Sequence, residues 1–103
     1  MDNNIYSNPE KFNLEIIDVL DASEPYYFNY FIVWKDKENR LYYGQDDGCS
    51  CPVPFDGVGL DDIVEIKKET WEEFEREVHN FNVSSEERIS LLDKVKRILK
   101  KKI

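Results

Sequence analysis

Apolar residues in the first two thirds of the chain recur at the spacing of β-strands. The segment 12–21, "FNLEIIDVLD", is rich in β-branched and apolar residues, a composition that favours a strand. Leu14, Ile16 and Leu20 share one parity, whereas Ile17 does not. Because successive side chains point to opposite faces of a strand, this segment is either buried on both faces for part of its length or interrupted by a β-bulge.

The strongest strand pattern is "YFNYFIVWKD", residues 27–36. Its apolar side chains divide by parity into two sets: Phe28, Tyr30, Ile32 and Trp34 in one, and Tyr27, Phe31 and Val33 in the other. Two apolar faces predict a central strand. The polar turn "KDKENR" precedes a third strand at 40–45, so the two segments predict a β-hairpin. A fourth strand is predicted at about 62–68.

The last third of the chain has the spacing of helices. Apolar residues at intervals of three and four predict a helix from 71 to about 81, with a stripe formed by Trp71, Phe74, Val78 and Phe81. Thr70 with Glu73, and Ser84 with Glu87, have the spacing of capping boxes. The second box predicts a helix that continues to about 102.

Strands followed by helices predict an α+β fold: an antiparallel sheet of three to four strands, with two C-terminal helices packed on one face. The length of 103 residues fits a single domain over residues 1–103. The polar start, residues 1–10, is predicted to be a loose N-terminal lead-in.

Charge narrows the choice of partner. The net charge is −8, yet residues 94–103 contain six basic residues and no acidic one. Helix-dipole complementation explains a basic helix end, although a basic docking tail is an alternative. An acidic protein repels nucleic-acid phosphates, so we expect no direct nucleic-acid binding and a protein partner with a basic surface. The candidate binding residues are Asp46, Asp47, Asp61, Asp62, Glu72 and Glu73.

Neither a signal peptide nor an apolar run long enough to cross a bilayer is visible in the sequence. We therefore expect no membrane association and a cytoplasmic location, with both cysteines present as thiols. The sequence does not predict the oligomeric state.

Both cysteines lie in "GCSCPVPF", residues 48–55. Zinc usually needs four ligands, and the chain offers two cysteines and one histidine, His79, which we expect on the solvent side of its helix. A disulfide across one residue would be strained, and C-x-x-C spacing is missing. A cysteine nucleophile would need His79 as its base. We therefore predict no enzyme activity, no cofactor and no metal site, with a metal or redox role as an alternative.

The preferred interpretation of this segment is a rigid structural loop of Gly48, Cys49, Cys51, Pro52, Pro54 and Phe55. Prolines restrict their own backbone and that of the preceding residue. Cys49, Cys51, Val53 and Phe55 alternate, so all four are predicted to point inward. On this interpretation Cys51→Ser should destabilise the fold by about 1–3 kcal/mol.

The run 42–56, "YYGQDDGCSCPVPFD", resembles a segment of the form D-x-G-C-S-C-P-x-P-F in small uncharacterised proteins of bacteriophages and prophages. The matching residues are Asp46, Gly48, Cys49, Ser50, Cys51, Pro52, Pro54 and Phe55. The likeness extends over about residues 28–56. It implies a phage context, a host-cell location and an accessory role, and it supplies no catalytic residues.

Taken together, these observations predict a small acidic phage-type accessory protein that inhibits a host enzyme or defence system by binding a host protein. A phage protein with a basic surface is also a possible partner. A phage structural or assembly component is an alternative function, in which copies of the domain associate through a sheet edge or the second helix.

Overall fold

The computed structural model describes residues 4–49 and 54–101. Within them a four-stranded antiparallel sheet is followed by two helices, which confirms the predicted α+β fold. The strands are β1 (Leu14–Asp21), β2 (Tyr27–Asp36), β3 (Leu41–Cys49) and β4 (Val64–Ile66), and the helices are α1 (Trp71–Asn80) and α2 (Ser85–Lys101). Short 3-10 helices occupy Pro9–Phe12, Leu60–Asp62 and Lys68–Thr70.

The strands follow one another across the sheet in chain order, so β2 is internal and pairs with both β1 and β3. This confirms the central strand and the β2–β3 hairpin. Strand β3 is longer than predicted, because it continues to Cys49 in register with Tyr27. Strand β4 is shorter than predicted and pairs only from Val64 to Ile66.

The irregular parity of β1 arises from a β-bulge. Ile16 pairs with Trp34 and Asp18 pairs with Val33, so Ile17 is the extra residue. The insertion reverses which residues face which side. Leu14 therefore packs on one face of the sheet and Leu20 on the other, although the two have the same parity in sequence.

One face of the sheet is covered by the two helices, as predicted. Phe31, Val33 and Tyr43 of the sheet are buried with Phe74 of α1 and Val95 of α2 in one cluster. The Phe31 and Tyr43 rings stack at 5.6 Å between centroids. The predicted stripe residues of α1 belong to this cluster, with Trp71 only partly buried.

Only one of the two predicted capping boxes is present. The Ser84 hydroxyl accepts the Glu87 backbone N–H at 3.2 Å, and the Glu87 carboxylate accepts the Ser84 backbone N–H at 3.2 Å. The prediction for Thr70 is wrong. Its hydroxyl donates to the Glu65 carbonyl at 2.6 Å and accepts the Lys67 N–H at 2.9 Å. Thr70 therefore caps the 3-10 helix Lys68–Thr70, which precedes α1, and does not cap α1 itself.

The opposite face of the sheet is also covered, by the N-terminal segment and by the residues after β3. Ile5, Trp34 and Phe55 are at most 1% exposed in this second cluster. The Trp34 indole N–H donates to the Ile5 carbonyl at 2.9 Å, and the Asn4 side chain donates to the Pro54 carbonyl at 2.9 Å. The prediction of a loose lead-in is therefore wrong for Asn4 and Ile5, which are buried and cover the second cluster.

The structure describes only part of the predicted structural loop, and two of its residues, Gly48 and Cys49, belong to strand β3. Phe55 is buried, but Cys49 is exposed, which corrects the expectation that its side chain points inward. The reason is that Cys49 continues β3 on the helix side, beyond the point where the helices cover the sheet. Cys51, Pro52 and the Cys51→Ser prediction lie outside the described residues.

Candidate binding site

The helices leave one end of the sheet uncovered. On the face that the helices cover, residues of β2 and β3 that pair across the two strands form successive rows, and their exposure increases toward this end. Val33 and Tyr43 form a row in which both side chains are buried. In the next two rows Gln45 is exposed beside buried Phe31, and Asp47 is exposed beside half-buried Asn29. The last row, Tyr27 and Cys49, is exposed on both strands. We call this bare surface, with the adjoining turn residue, the hairpin-end patch: Tyr26, Tyr27, Asn29, Asp47 and Cys49.

The turn between β1 and β2 projects a tyrosine from this end. Glu24 and Tyr27 exchange backbone hydrogen bonds of 2.8 and 2.9 Å, so Pro25 and Tyr26 form a two-residue turn. Proline suits the first turn position, whereas the second needs a positive φ that usually selects glycine or asparagine. Tyr26 has φ +66° and is 85% exposed. A bulky residue rarely adopts this conformation, and this one packs little of its ring against the protein.

The patch also holds an unsatisfied acceptor. The Asn29 side-chain oxygen is inaccessible to solvent and has no hydrogen-bond partner. Its backbone is well bonded: the N–H donates to the Ser23 hydroxyl at 3.0 Å and the carbonyl accepts the Ala22 N–H at 2.9 Å. A buried polar atom without a partner costs free energy.

A series of aromatic rings on the opposite face supports this end of the sheet. Its members stack in the order Phe28, Tyr30, Tyr6, Phe55, with centroid distances of 5.9, 5.4 and 6.1 Å, and Trp34 meets Phe55 edge-on at 5.5 Å. Burial, together with the neighbouring Tyr30 and Asp21, raises the pKa of Tyr6. The packed rings therefore form the layer beneath this end of the sheet, on the face opposite the helices.

Asp46 holds the connection after β3 against this support. Its carboxylate accepts the Phe55 backbone N–H at 2.7 Å. Phe55 has φ +64° and its ring is 1% exposed, so burial of the ring and the charge-assisted hydrogen bond together maintain an unfavourable backbone conformation. The role of Asp46 in the structure is therefore to position the loop.

The charge around the patch is uniformly negative in sequence. Segments 12–34 and 41–66, which form nearly all of the sheet and its connections, hold ten acidic residues and no lysine or arginine. Charges on neighbouring strands add to one electrostatic potential, because unit charges interact over about 10 Å at moderate ionic strength. The two stretches that form the hairpin end, 21–29 and 45–49, contain four of the ten acidic residues and no lysine or arginine, so this end of the sheet has a negative charge.

The six acidic residues predicted from the sequence do not form one surface. Asp47 lies in the hairpin-end patch, and Asp61 and Asp62 are exposed in the short helix Leu60–Asp62, where Asp62 accepts the Gly59 N–H at 2.9 Å. Glu72 and Glu73 lie on α1. The Glu73 carboxylate accepts the Tyr43 hydroxyl at 3.2 Å, and burial, followed by the charge of Glu73, raises the pKa of Tyr43 to about 12.

The cysteine hypotheses have little geometric support in the described part of the chain. His79 is exposed on α1, as predicted. Within residues 4–49 and 54–101, no three histidine, cysteine, aspartate or glutamate side chains are grouped as metal ligands.

Neither helix, over the residues described, is long and apolar enough to span a bilayer.

Sequence reasoning missed the two tyrosines and Asn29. The sequence pattern placed Tyr27 only on an apolar face of a strand, and it assigned no role to Tyr26 or Asn29. The available signal was the pair Pro25–Tyr26, because a tyrosine stands where a type II turn normally has glycine. The extent of bare sheet could not be deduced, because it depends on where the helices stop covering β2 and β3.

The fold and the patch define an α+β domain in which the helices leave one end of a four-stranded sheet uncovered. The chain belongs to the family described as "Domain of unknown function (DUF7574)", whose model matches residues 3–102. Comparisons with curated proteins and with solved structures gave no match.

Proposed function

We propose that this protein is a non-catalytic binding module whose hairpin-end patch docks on a basic surface of another protein. Tyr26 carries the proposal: its ring is 85% exposed and its backbone is held at φ +66°. Tyrosine is enriched in the residues that dominate binding energy, because a large rigid ring buries much area at small entropic cost. A strained backbone at an exposed position is typical of functional sites.

The chemistry of the patch favours a cationic partner. The exposed Asp47 carboxylate is a hydrogen-bond acceptor, and the Tyr26 and Tyr27 rings offer faces for cation–π contact. An arginine presents five donors and a planar cation, so its guanidinium suits both kinds of group. The acidic sheet would accelerate the encounter with a basic surface.

The proposed biological role is that of a phage-type accessory protein in the host cytoplasm that inhibits a host enzyme or defence system. The resemblance of residues 42–56 to phage and prophage proteins supports this context. Many host enzymes that act on nucleic acids have basic grooves, and an acidic domain seated in such a groove would exclude the substrate by steric and electrostatic repulsion. No catalytic step is needed.

Affinity capture with the tagged protein in host cells, at low salt, tests the proposal. We compare the wild type with Tyr26→Gly and Asp47→Lys. Glycine suits the positive φ, so Tyr26→Gly should melt at or slightly above the wild-type temperature and yet lose the partner. Asp47→Lys should also lose it, because a cation would then face a basic surface.

Two variants are matched controls. Ile89→Ala removes an exposed apolar side chain on α2, and Glu10→Lys makes the same charge change at an exposed position within the 3-10 helix Pro9–Phe12. Both should retain the partner captured by the wild type. Retention by Tyr26→Gly and Asp47→Lys as well, or loss from all four variants, would rule out the hairpin-end patch as the binding site.

A further inference from the structure

A groove lies between the start of α1 and the C-terminal half of α2. Its volume is about 860 Å³, near the upper end of typical ligand sites of roughly 300–1,000 Å³. It is at the other end of the sheet from the hairpin-end patch. Strand β4 leads into it after Ile66, which pairs with Leu41, whereas the patch lies where Tyr27 pairs with Cys49.

The apolar part of the groove is formed by Trp71 and Leu99. The Trp71 ring contacts the core through Phe74, with 5.4 Å between ring centroids, and it remains partly exposed. The Lys96 ammonium lies 5.9 Å from the centroid of this ring. Trp71 therefore presents a partly exposed indole that packs against Phe74 and has the Lys96 ammonium over its ring.

The walls of the groove are basic although the chain is acidic. Five cationic side chains line it: Lys67, Lys68, Lys96, Arg97 and Lys100. Three acidic side chains also line it: Glu69, Glu72 and Asp93. Among the described residues, four ion pairs are formed, and none of them includes a cation of the groove. Arg97 Nε donates to the Asp93 carbonyl at 3.4 Å, but no carboxylate of the described residues is paired with any of the five cations, so all five can attract an anionic partner.

We infer that this groove binds a short acidic segment of a partner protein, with one large apolar side chain of that segment against Trp71. The cations stand on both walls, and Lys96 and Lys100 are separated by about 6 Å along α2 at a helical rise of ~1.5 Å per residue. Several spaced cations suit several carboxylates along an extended chain better than a single compact anion. The site is independent of the hairpin-end patch, because it lies at another end of the fold and selects the opposite charge.

The two tryptophans allow a direct test by NMR. Trp34 is fully buried in the opposite core, whereas Trp71 lines the groove, so the two indole N–H signals report different places. The probe is a short synthetic peptide with glutamates on both sides of a central phenylalanine. We expect it to shift the Trp71 indole signal in a saturable way and to leave the Trp34 signal unchanged.

Two comparison peptides separate charge from apolar contact. Replacing the glutamates by glutamines, or the phenylalanine by alanine, should each weaken binding by about tenfold or more, which corresponds to ~1.4 kcal/mol. Equal binding of the glutamine peptide would overturn the inference, since the groove would then select apolar side chains alone.

Matched protein variants test the location. Lys96→Glu with Lys100→Glu should weaken the glutamate peptide by about tenfold or more, whereas Lys11→Glu with Lys37→Glu, both exposed and outside the groove, should weaken it much less. Equal loss in the two double variants would show only a response to net charge and would overturn the inference. Displacement of the peptide by adenosine monophosphate at similar concentration would also overturn it, in favour of a small-anion site.

Discussion

The two faces of the sheet are built differently. On one, α1 and α2 cover Phe31, Val33 and Tyr43 with helical stripes whose spacing is regular. On the other, irregular chain from the N-terminus and from the residues after β3 covers Ile32 and Trp34. The helical face gains its order from repeated apolar contacts, whereas the irregular face depends on a few specific hydrogen bonds that fix non-helical backbone.

The difference follows from how each kind of cover satisfies its own backbone. A helix bonds its N–H and C=O groups internally, so it needs only an apolar stripe to pack on a sheet. Irregular chain must find partners elsewhere. Here the Trp34 indole, the Asn4 amide and the Asp46 carboxylate supply them.

The largest expected effect contrasts the buried phenylalanines of the two faces. Phe74→Ala and Phe55→Ala each remove a ring that is at most 1% exposed, at a cost of about 3–5 kcal/mol in the free energy of unfolding. We expect Phe74→Ala to accelerate amide exchange throughout the domain. Phe55→Ala should accelerate it chiefly at residues 4–8 and 54–63, because only the irregular cover opens.

Denaturant melts and native-state hydrogen exchange on both variants measure this contrast. A uniform acceleration of exchange in Phe55→Ala would mean that the two faces form one cooperative unit, and the comparison would then fail.

A second prediction uses pH and concerns the helical face. The pKa of Tyr43, raised to about 12, lies above that of an unfolded tyrosine, ~10. The folded state therefore binds the Tyr43 hydroxyl proton more tightly than the unfolded state does. This binding adds to the free energy of unfolding below pH ~10, and the contribution is lost as the pH rises to about 12. We expect the wild type to lose roughly 1–3 kcal/mol more than Tyr43→Phe over that interval.

Urea melts of both proteins across this pH range provide the measurement. Parallel losses in the two proteins would show that lysine titration, which both share, accounts for the whole effect.

The smallest expected effect tests a polar anchor of the irregular face. Asp46→Asn weakens the charge-assisted hydrogen bond to the Phe55 N–H, which measures 2.7 Å, and should cost about 1–2 kcal/mol. Asp47→Asn is the control, because the neighbouring carboxylate is exposed in the hairpin-end patch, and we expect a change within ~0.5 kcal/mol. Thermal melts at neutral pH compare the two, and equal effects would assign Asp46 no structural role.

The sequence was sufficient to predict the elements whose apolar residues recur at the regular spacing of a strand or a helix. The parity of β2 predicted its two apolar faces, and the spacing of α1 predicted its stripe. The parity conflict in β1 indicated either a bulge or burial on both faces, and the structure has a bulge at Ile17. It was insufficient where the structure depends on distant partners. No residue near Ile5 in the sequence indicates that its carbonyl accepts a hydrogen bond from Trp34. The polar composition of residues 1–10 therefore predicted a loose segment, although Ile5 is buried.

The candidate site was predicted even less completely. Asp47 was identified by its charge, but the other acidic candidates lie elsewhere in the fold, and Cys49 was placed inward because alternation was counted through a proline-rich segment. Exposure at the end of β3 depends on how far the helices extend over the sheet. That distance is a property of tertiary packing and has no local signature.

The bulge in β1 also limits how copies of this protein can associate. An edge strand with regular spacing is a template for edge-to-edge pairing and fibre growth. Here one outer strand has an inserted residue at Ile17, and the other, β4, contributes only three residues. Neither outer strand offers a long regular ladder, so edge-to-edge pairing of copies through β1 or β4 is disfavoured.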